Sequence, residues 1–235
     1  CDELQPGISK LSLRTDAFSS GDKIEFVFKS DDTEKTTAGT VIPGTFPQYE
    51  LELCKSSNAQ RNIKIRYNDD PDTEDWYAAS VKWNGLQERY VGLDEPQIVE
   101  VRNQMIYPPT GYNDLQLEPE SYSPITVSFQ GDYLYVWKDS EEEDNEYDLC
   151  FNYRSNWDGY VTSVKDAEVQ CTLFKLSEEM YRYLFAEFDS WNNPFIEAGM
   201  SSPAFTYSNV RNGAGYLCGY SVVHSEWIMD NLFEE

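Results

Sequence analysis

Apolar and polar residues alternate with a period of two through much of this chain of 235 residues. Ile24, Phe26 and Phe28 point to one side of a segment whose other side is mostly charged, and Leu51 and Leu53 alternate with glutamates. Because successive side chains of a strand point to opposite faces, the pattern predicts half-buried β-strands. The same alternation recurs in four further segments: 63–67, 125–129, 133–137 and 169–173.

Turn signals lie between these segments. They are Ser20-Gly21-Asp22, Asn84-Gly85, Gln130-Gly131-Asp132 and Asn212-Gly213. Short turns join antiparallel strands, whereas parallel strands need long crossovers, so we predict a mainly β protein with an antiparallel β-sandwich. Asn212-Gly213 suits a type I′ turn, which would form a closing hairpin with Gly215 and Gly219 on one strand face.

One amphipathic helix is predicted near residues 177–189. Met180, Leu184 and Phe188 form an apolar stripe at helical spacing, so this helix should lie against a sheet. Ser177 is a favourable N-cap, and the two glutamates after it interact favourably with the helix dipole.

The domain division is predicted at Ile42-Pro43-Gly44. Residues 1–43 would form the lipidated N-terminus and an abbreviated β unit, and residues 44–235 the main β-sandwich with the helix and closing hairpin. One continuous domain is the alternative. The proline-rich segment 107–124 is typical of a long surface loop.

The charge of the chain argues against nucleic-acid binding. Eighteen basic and 42 acidic residues give a net charge of −24, which repels phosphates and anionic lipid headgroups. The sequence contains no run of about 20 apolar residues, so we expect no transmembrane helix.

The chain begins Cys1-Asp2-Glu3-Leu4, as a bacterial lipoprotein does after its signal peptide is removed. Acyl chains on Cys1 would contribute roughly 0.8 kcal/mol per buried CH₂ and hold the domain on a membrane. A chain trimmed at an arbitrary residue is the alternative.

The other four cysteines have no C-x-x-C spacing: Cys54, Cys150, Cys171 and Cys218. Buried thiols and disulfides of unassigned connectivity both remain open, and a zinc site is disfavoured.

Candidate catalytic and metal-binding groups are few. His224 is the only histidine, and a polar position at a strand edge is the expected role, so we predict no enzyme, cofactor or metal. The acidic segments 69–75 and 139–146 are interpreted as solvated turns. Calcium is the alternative for 69–75, which lacks the glycine of an EF-hand loop. Paired carboxylates carry no weight among 42 acidic residues.

Aromatic residues are more abundant than a core requires, and exposed aromatic faces can bind sugars. The candidates for ligand binding lie in or beside polar turns: Trp76, Trp83, Trp157 and Trp191. Anchoring within the sheet or a loop is the alternative for each.

Three stretches together resemble the Bacteroidetes outer-membrane lipoproteins of domain-of-unknown-function family 4249. They are 18–43, with Ala38-Gly39-Thr40-Val41-Ile42-Pro43; 69–77, an acidic turn before Trp76-Tyr77; and 176–221, with Ser177-Glu178-Glu179-Met180-Tyr181-Arg182-Tyr183-Leu184 and Ser208-Asn209-Val210-Arg211-Asn212-Gly213. The segment 88–169 aligns only loosely.

The resemblance implies an outer-membrane lipoprotein, surface-exposed or facing the periplasm, beside a TonB-dependent transporter, without established enzymatic activity. It also implies immunoglobulin-like elements, abbreviated here before Thr40. Of the two locations we favour the cell surface, because the acidic residues after Cys1 resemble export signals of such lipoproteins. Two hypotheses follow: a non-enzymatic accessory protein of that transporter, and a module that captures glycan or peptide through exposed aromatic residues.

Overall fold

The structure, a computed structural model, describes residues 2–5, 8–10, 18–30, 33–37, 39–41, 43–56, 60–90, 95–106, 125–139, 145–153, 160–192 and 207–231. Within these ranges, no helix combines the length and the apolar character that crossing a membrane requires. The predicted loop at 107–124 and the lipidation residue Cys1 lie outside the described residues.

Strands dominate the described residues. In chain order the elements are β1 (Asp2–Gln5), β2 (Ile8–Lys10), β3 (Lys23–Ile24), β4 (Val27–Ser30), β5 (Thr33–Thr37), β6 (Thr40–Val41), β7 (Tyr49–Lys55), β8 (Gln60–Tyr67), β9 (Trp76–Tyr90), β10 (Gln97–Met105), β11 (Ile125–Phe129), β12 (Asp132–Lys138), β13 (Glu146–Asn152), β14 (Tyr160–Leu176), α1 (Glu178–Asn192), β15 (Val210–Arg211), β16 (Tyr220–His224) and β17 (Ile228–Met229).

Two antiparallel sheets pack face to face. The larger has the order β11-β12-β9-β14-β16, with β10 also paired to β9 and β17 to β14, and the smaller has the order β13-β8-β7. Their inward-pointing side chains share one apolar core, whose largest fully buried members include Tyr77, Trp83, Ile63, Ile65, Leu149 and Phe151. The predicted fold class, an antiparallel β-sandwich with one helix, is confirmed.

The helix α1 forms a third layer on the outer face of the larger sheet. Met180 and Leu184 are buried in a second core with Ala78 of β9 and Phe174 of β14. Ser177 caps the helix as predicted, because its Oγ accepts a hydrogen bond from the Met180 N–H at 3.2 Å. The helix ends three residues beyond the predicted range, at Asn192.

The central ribbon of the fold is the pair of β9 and β14. Their register shifts where Asp166 and Ala167 lie opposite the single residue Gly85, which makes a β-bulge. A Cβ on Gly85 would lie 2.9 Å from a ring carbon of Trp83 and 3.1 Å from the Lys165 carbonyl oxygen. The predicted turn at Asn84-Gly85 is therefore wrong, since this glycine allows two strands to approach closely inside the sheet.

The N-terminal strands are shorter than predicted. The segment 23–29 divides into β3 and β4, because residues 25–26 belong to neither strand. β3 pairs with β6, and β4 pairs with β5, which pairs in turn with β15 from the C-terminal part. The division at residue 43 stays a prediction, and strands from both predicted parts share this small sheet.

The turn predictions near the glycines differ in outcome. Gln130 and Gly131 both have positive φ, 53° and 89°, as a type I′ turn between β11 and β12 requires. Asn212 has a φ of 59° but Gly213 does not have a positive φ, so the type I′ turn predicted there is wrong.

Side-chain hydrogen bonds shape the C-terminal segment instead of a hairpin. The side-chain Nδ2 of Asn209 donates to the Leu217 carbonyl oxygen at 2.6 Å, and the side-chain Oδ1 accepts from the Leu217 N–H at 2.7 Å. Residues 212–219 form no strand, so Gly215 and Gly219 do not share a strand face. Tyr216 stacks on Tyr183 of α1 with ring centroids 3.9 Å apart, which ties this segment to the helix.

The four described cysteines are free thiols. Cys54 of β7 and Cys150 of β13 both lie opposite Asn62 of β8, on either side of it. Two strand spacings of about 4.8 Å separate them, which exceeds the Cα separation that a disulfide allows. Cys171 is buried in the first core, where burial raises the pKa of its thiol to about 12.

A buried ion pair joins the smaller sheet to the end of the chain. Arg61 Nε donates to Asp230 Oδ2 at 2.9 Å, and both side chains are fully buried. The Asp230 N–H also donates to the Ala167 carbonyl oxygen at 2.7 Å, so this aspartate links β8 to the bulge of β14.

We expect Asp230→Ala to lower the free energy of unfolding by about 3–5 kcal/mol, because it leaves the Arg61 charge buried without its carboxylate. Replacing both partners, Arg61→Met with Asp230→Leu, should cost less than the single change. Asp148→Ala, at an exposed acid of the same small sheet, is the control and should change stability by less than about 0.5 kcal/mol. Equal losses in the single and double variants by urea denaturation would contradict this account.

Candidate functional site

Acidic side chains gather at one end of the sandwich, where the turn after β8 meets the end of β12. The Asp75 N–H donates to Asp139 Oδ1 at 3.1 Å, and the Asp139 N–H donates to the Asp75 carbonyl oxygen at 3.1 Å. Lys175 Nζ lies 2.8 Å from Asp75 Oδ2, and the Tyr77 hydroxyl donates to Asp69 Oδ2 at 2.5 Å. We call Asp69, Asp75 and Asp139 the acidic end.

Two carboxyl groups of the acidic end, those of Asp139 and Asp69, have a higher pKa than a solvated aspartate. Burial raises the pKa of Asp139 to about 6, and the nearby charges of Asp69 and Asp75 add to the effect, against the hydrogen bond from the Asp75 N–H and the charge of Lys138. Burial also raises the pKa of Asp69, although the hydrogen bond from Tyr77 acts in the opposite direction. Asp139 therefore takes up its proton near pH 6, well above the range of a solvated aspartate.

The segment 69–75 is a partly solvated turn. Asp70 and Asp72 are exposed, whereas Asp69 and Asp75 are half-buried. Across the described ranges, no three His, Cys, Asp or Glu side chains are grouped so that they could hold a metal ion. In the second acidic segment, residues 140–144 lie outside the described ranges.

Of the four candidate tryptophans, Trp76 lies beside the acidic end. Its ring is half-buried against the second core, with its centroid 6.2 Å from that of Tyr181 on α1. Glu74 and Lys138 form an ion pair next to it in the fold, because Lys138 is the strand partner of Trp76. Trp76 thus combines an aromatic surface with polar neighbours.

The structure corrects the prediction for Trp83, because its ring is not accessible to a ligand. Its side chain is 1% exposed in the sandwich core, with its ring centroid 5.0 Å from that of Tyr153. The polar residues beside it in the sequence point to the other face of β9, which sequence proximity alone does not reveal. Trp157 lies outside the described residues, and only the backbone of Trp191 is described, in α1.

His224 lies on β16 at the edge of the larger sheet, which confirms the predicted polar position at a strand edge. Its Nδ1 is 3.0 Å from Thr172 Oγ1 on the neighbouring strand β14. The histidine side chain is exposed, and this bond to a threonine hydroxyl fixes the orientation of its ring.

A row of exposed side chains follows the same edge. β16 and β17 pair with one side of β14, with Val222 opposite Phe174 and Met229 opposite Glu168. Val222 and Met229 are 49% and 54% exposed, and His224 lies between them. We call Val222, His224 and Met229 the edge strip. Sequence periodicity does not predict this site, although the uncharged segment Tyr220–His224 is a signal for it.

The fold and these two surfaces define a β-sandwich with a helical third layer, an acidic end and an exposed sheet edge. The chain matches the family described as Domain of unknown function (DUF4249) over residues 7–226, and it belongs to this family. No curated protein and no solved structure gives a significant match.

We expect Asp139→Asn to stabilise the protein at pH 8 by about 1 kcal/mol, after allowance for solvent screening. A raised pKa means that the folded state favours the protonated carboxyl. The stabilising contribution of Asp139 is then complete below about pH 4 and is lost as the pH rises through about 6, so the advantage of the amide should vanish at pH 4.

Chemical denaturation between pH 4 and pH 8 measures this difference. Asp72→Asn, at an exposed carboxyl of the same turn, is the matched control and should show a difference near zero throughout. The prediction would be contradicted if the difference in free energy of unfolding between Asp139→Asn and the parent were the same at pH 4 and at pH 8.

Proposed function

We propose that this protein is a lipoprotein of the outer membrane, held by lipid on Cys1 and exposed at the cell surface, that works by binding another envelope protein. The partner is a TonB-dependent transporter or a protein associated with one, and the role is accessory rather than enzymatic. The resemblance of residues 18–43, 69–77 and 176–221 to outer-membrane lipoproteins supports the location.

The edge strip is the observation that carries the binding role. Val222 and Met229 each leave about half of a large apolar side chain in water, along one sheet edge and on either side of His224. Burying such surface is worth about 25 cal/mol per Å², so a partner that covers the strip gains affinity. An exposed edge also offers backbone hydrogen bonds to a second protein.

The capture of glycan or peptide is the second candidate function, and the pair of Trp76 and Tyr181 favours it. That hypothesis expects two tryptophans along one groove, but the burial of Trp83 leaves Trp76 with a tyrosine neighbour instead. The ion pair of Glu74 and Lys138 could supply hydrogen bonds to sugar hydroxyls next to the aromatic surface.

Affinity electrophoresis in gels with soluble starch, xylan or dextran tests this second candidate. If it is correct, at least one polysaccharide retards the unmodified protein, Trp76→Ala migrates freely, and Trp76→Phe keeps most of the retardation because it preserves an aromatic face. Unretarded migration in all three gels, or equal retardation of Trp76→Ala, would count against glycan capture through Trp76.

Membrane fractionation of the producing bacterium tests the anchor. The native protein should sediment with the outer membrane and its N-terminal peptide should carry acyl mass, whereas Cys1→Ser should move to the soluble fraction because the acyl chains supply the membrane affinity. Cys54→Ser, which removes a different half-exposed thiol, is the matched control and should stay with the membrane. An unmodified Cys1 in native material would refute the anchor.

Crosslinking in intact cells followed by purification in mild detergent tests the binding role. We expect the lipoprotein to recover one envelope protein in near-stoichiometric amount, with another lipoprotein of the same membrane as the control bait. Recovery of the lipoprotein alone would refute the accessory function.

A further inference from the structure

We propose that the edge strip receives an extended strand from a different envelope protein, which adds to the larger sheet beside β16. This inference rests on the proposed accessory function and names the way in which the partner binds. The partner segment would take its place by main-chain hydrogen bonds, and alternate side chains would contact Val222 and Met229.

The exposed edge extends beyond β16 itself. Between β16 and β17, the Ser225 N–H donates to the Cys171 carbonyl oxygen at 2.9 Å, and Ser225 Oγ accepts from the Cys171 N–H at 3.0 Å. These bonds keep the chain beside β14 from Tyr220 to Met229. The outer side of this stretch therefore forms one edge of the sheet.

One end of this edge is bordered by the chain itself. Ser221 Oγ donates to the Gly44 carbonyl oxygen at 2.5 Å, so the segment after residue 43 lies against β16 there. In the described part of the chain, no strand pairs with the outer side of β16. The portion open to a partner thus begins at Val222 and continues to Met229.

The edges of the smaller sheet carry features that hinder strand addition. β7 bears Glu50 and Glu52, and β13 bears Glu146 and Asp148, all exposed. Charged side chains on an edge are one way in which natural proteins prevent the addition of a foreign strand, because pairing would desolvate them.

Two other edges of the larger sheet, those of β10 and β11, are hindered in different ways. β10 carries Glu100 and Arg102, which form an ion pair, and its ladder is interrupted near Asn103, whose φ is 49°. β11 has no charged residue but packs under α1, where Ile125 and Val127 are each 5% exposed.

β16 differs from all of these edges. Its sequence Tyr220–His224 has no charge and no proline, and its five pairs with β14 follow one another without a register shift. Over Val222–His224 this edge is regular and uncharged, and no described strand covers it, which is the kind of edge to which extended segments add in β-augmentation. Beyond His224 the chain has one more residue than β14 before β17 begins, and it carries the exposed Glu226. Compared with the edges of β7, β10, β11 and β13, this is the one whose geometry and chemistry favour a foreign strand.

The charges around the edge strip identify the kind of segment that fits. Glu226 is exposed beside the strip, and Glu168 lies opposite Met229 on the same face. A partner strand with apolar residues at alternate positions and a basic residue near these glutamates would complement the surface. A second copy of this chain is disfavoured, because each copy carries a net charge of −24.

The experiment repeats the crosslinking and purification with variants of the full-length lipoprotein. Val222→Lys places a charge on the edge and should reduce recovery of the partner at least tenfold. Val222→Thr keeps a β-branched side chain of similar size and should recover the partner within twofold of the parent. Ile98→Lys adds the same charge at a 70% exposed residue of β10 and should leave recovery unchanged.

Hydrogen exchange on the complex of the unmodified chain gives a second measurement that needs no variant. Strand addition should slow exchange of the outward-pointing backbone amides in residues 222–229 at least tenfold, since inward-pointing amides such as that of Ser225 already donate to β14. Contact through side chains alone would leave the rates of the outward-pointing amides unchanged and overturn the inference. This result decides the question even if Val222→Lys fails to fold.

The outcomes separate the inference from the function on which it rests. If the unmodified lipoprotein recovers no partner, the accessory function fails and the inference fails with it. If a partner is recovered equally well by Val222→Lys, the accessory function stands and strand addition at this edge is overturned. A crosslink at Val222 to a second copy of this chain would overturn the choice of a different protein as the occupant.

Discussion

The antiparallel pairing of β9 with β14 is the interaction on which the rest of the structure depends. Tyr77, Val81 and Trp83 of β9 point into the core between the two sheets, while Ala78 points to the core under the helix. A strand displays successive side chains on opposite faces, so one ribbon can serve two cores at once. Every other strand of the larger sheet, and the helix on its outer face, takes its position from this ribbon.

Long-range contacts then close the fold at both ends. At one end, the fully buried pair of Arg61 and Asp230 fixes the C-terminus to the smaller sheet. At the other, Asp75 and Asp139 exchange hydrogen bonds beside Lys175, which leaves several half-buried carboxylates close together. The chain from Tyr220 to Met229 runs back along the side of β14 that faces away from β9, and this segment carries the edge strip.

Much of the local structure was predictable from the sequence, and the errors share a cause. Alternation predicted β11 residue for residue, and Ser177 was correctly expected to cap α1. The Asn-Gly signal at 84–85 predicts a turn, and that at 212–213 predicts a type I′ hairpin turn, but a glycine serves equally in a bulge, a loop or another kind of turn. The neighbouring strand decides among them: Gly85 lies opposite the extra residue of β14, which is far away in the sequence.

The sequence by itself determined several of the strands, such as β7, β8, β11 and β12, which face of each of these is apolar, and where the single helix begins, because these properties follow from local periodicity and capping. Only the tertiary structure decided that Trp83 is buried while Trp76 is half-exposed, that Asp139 meets Asp75, and that β16 is the last of the described strands on its side of the larger sheet. Strand order and burial arise from pairings between distant segments, and a period of two contains no information about which strand lies next to which.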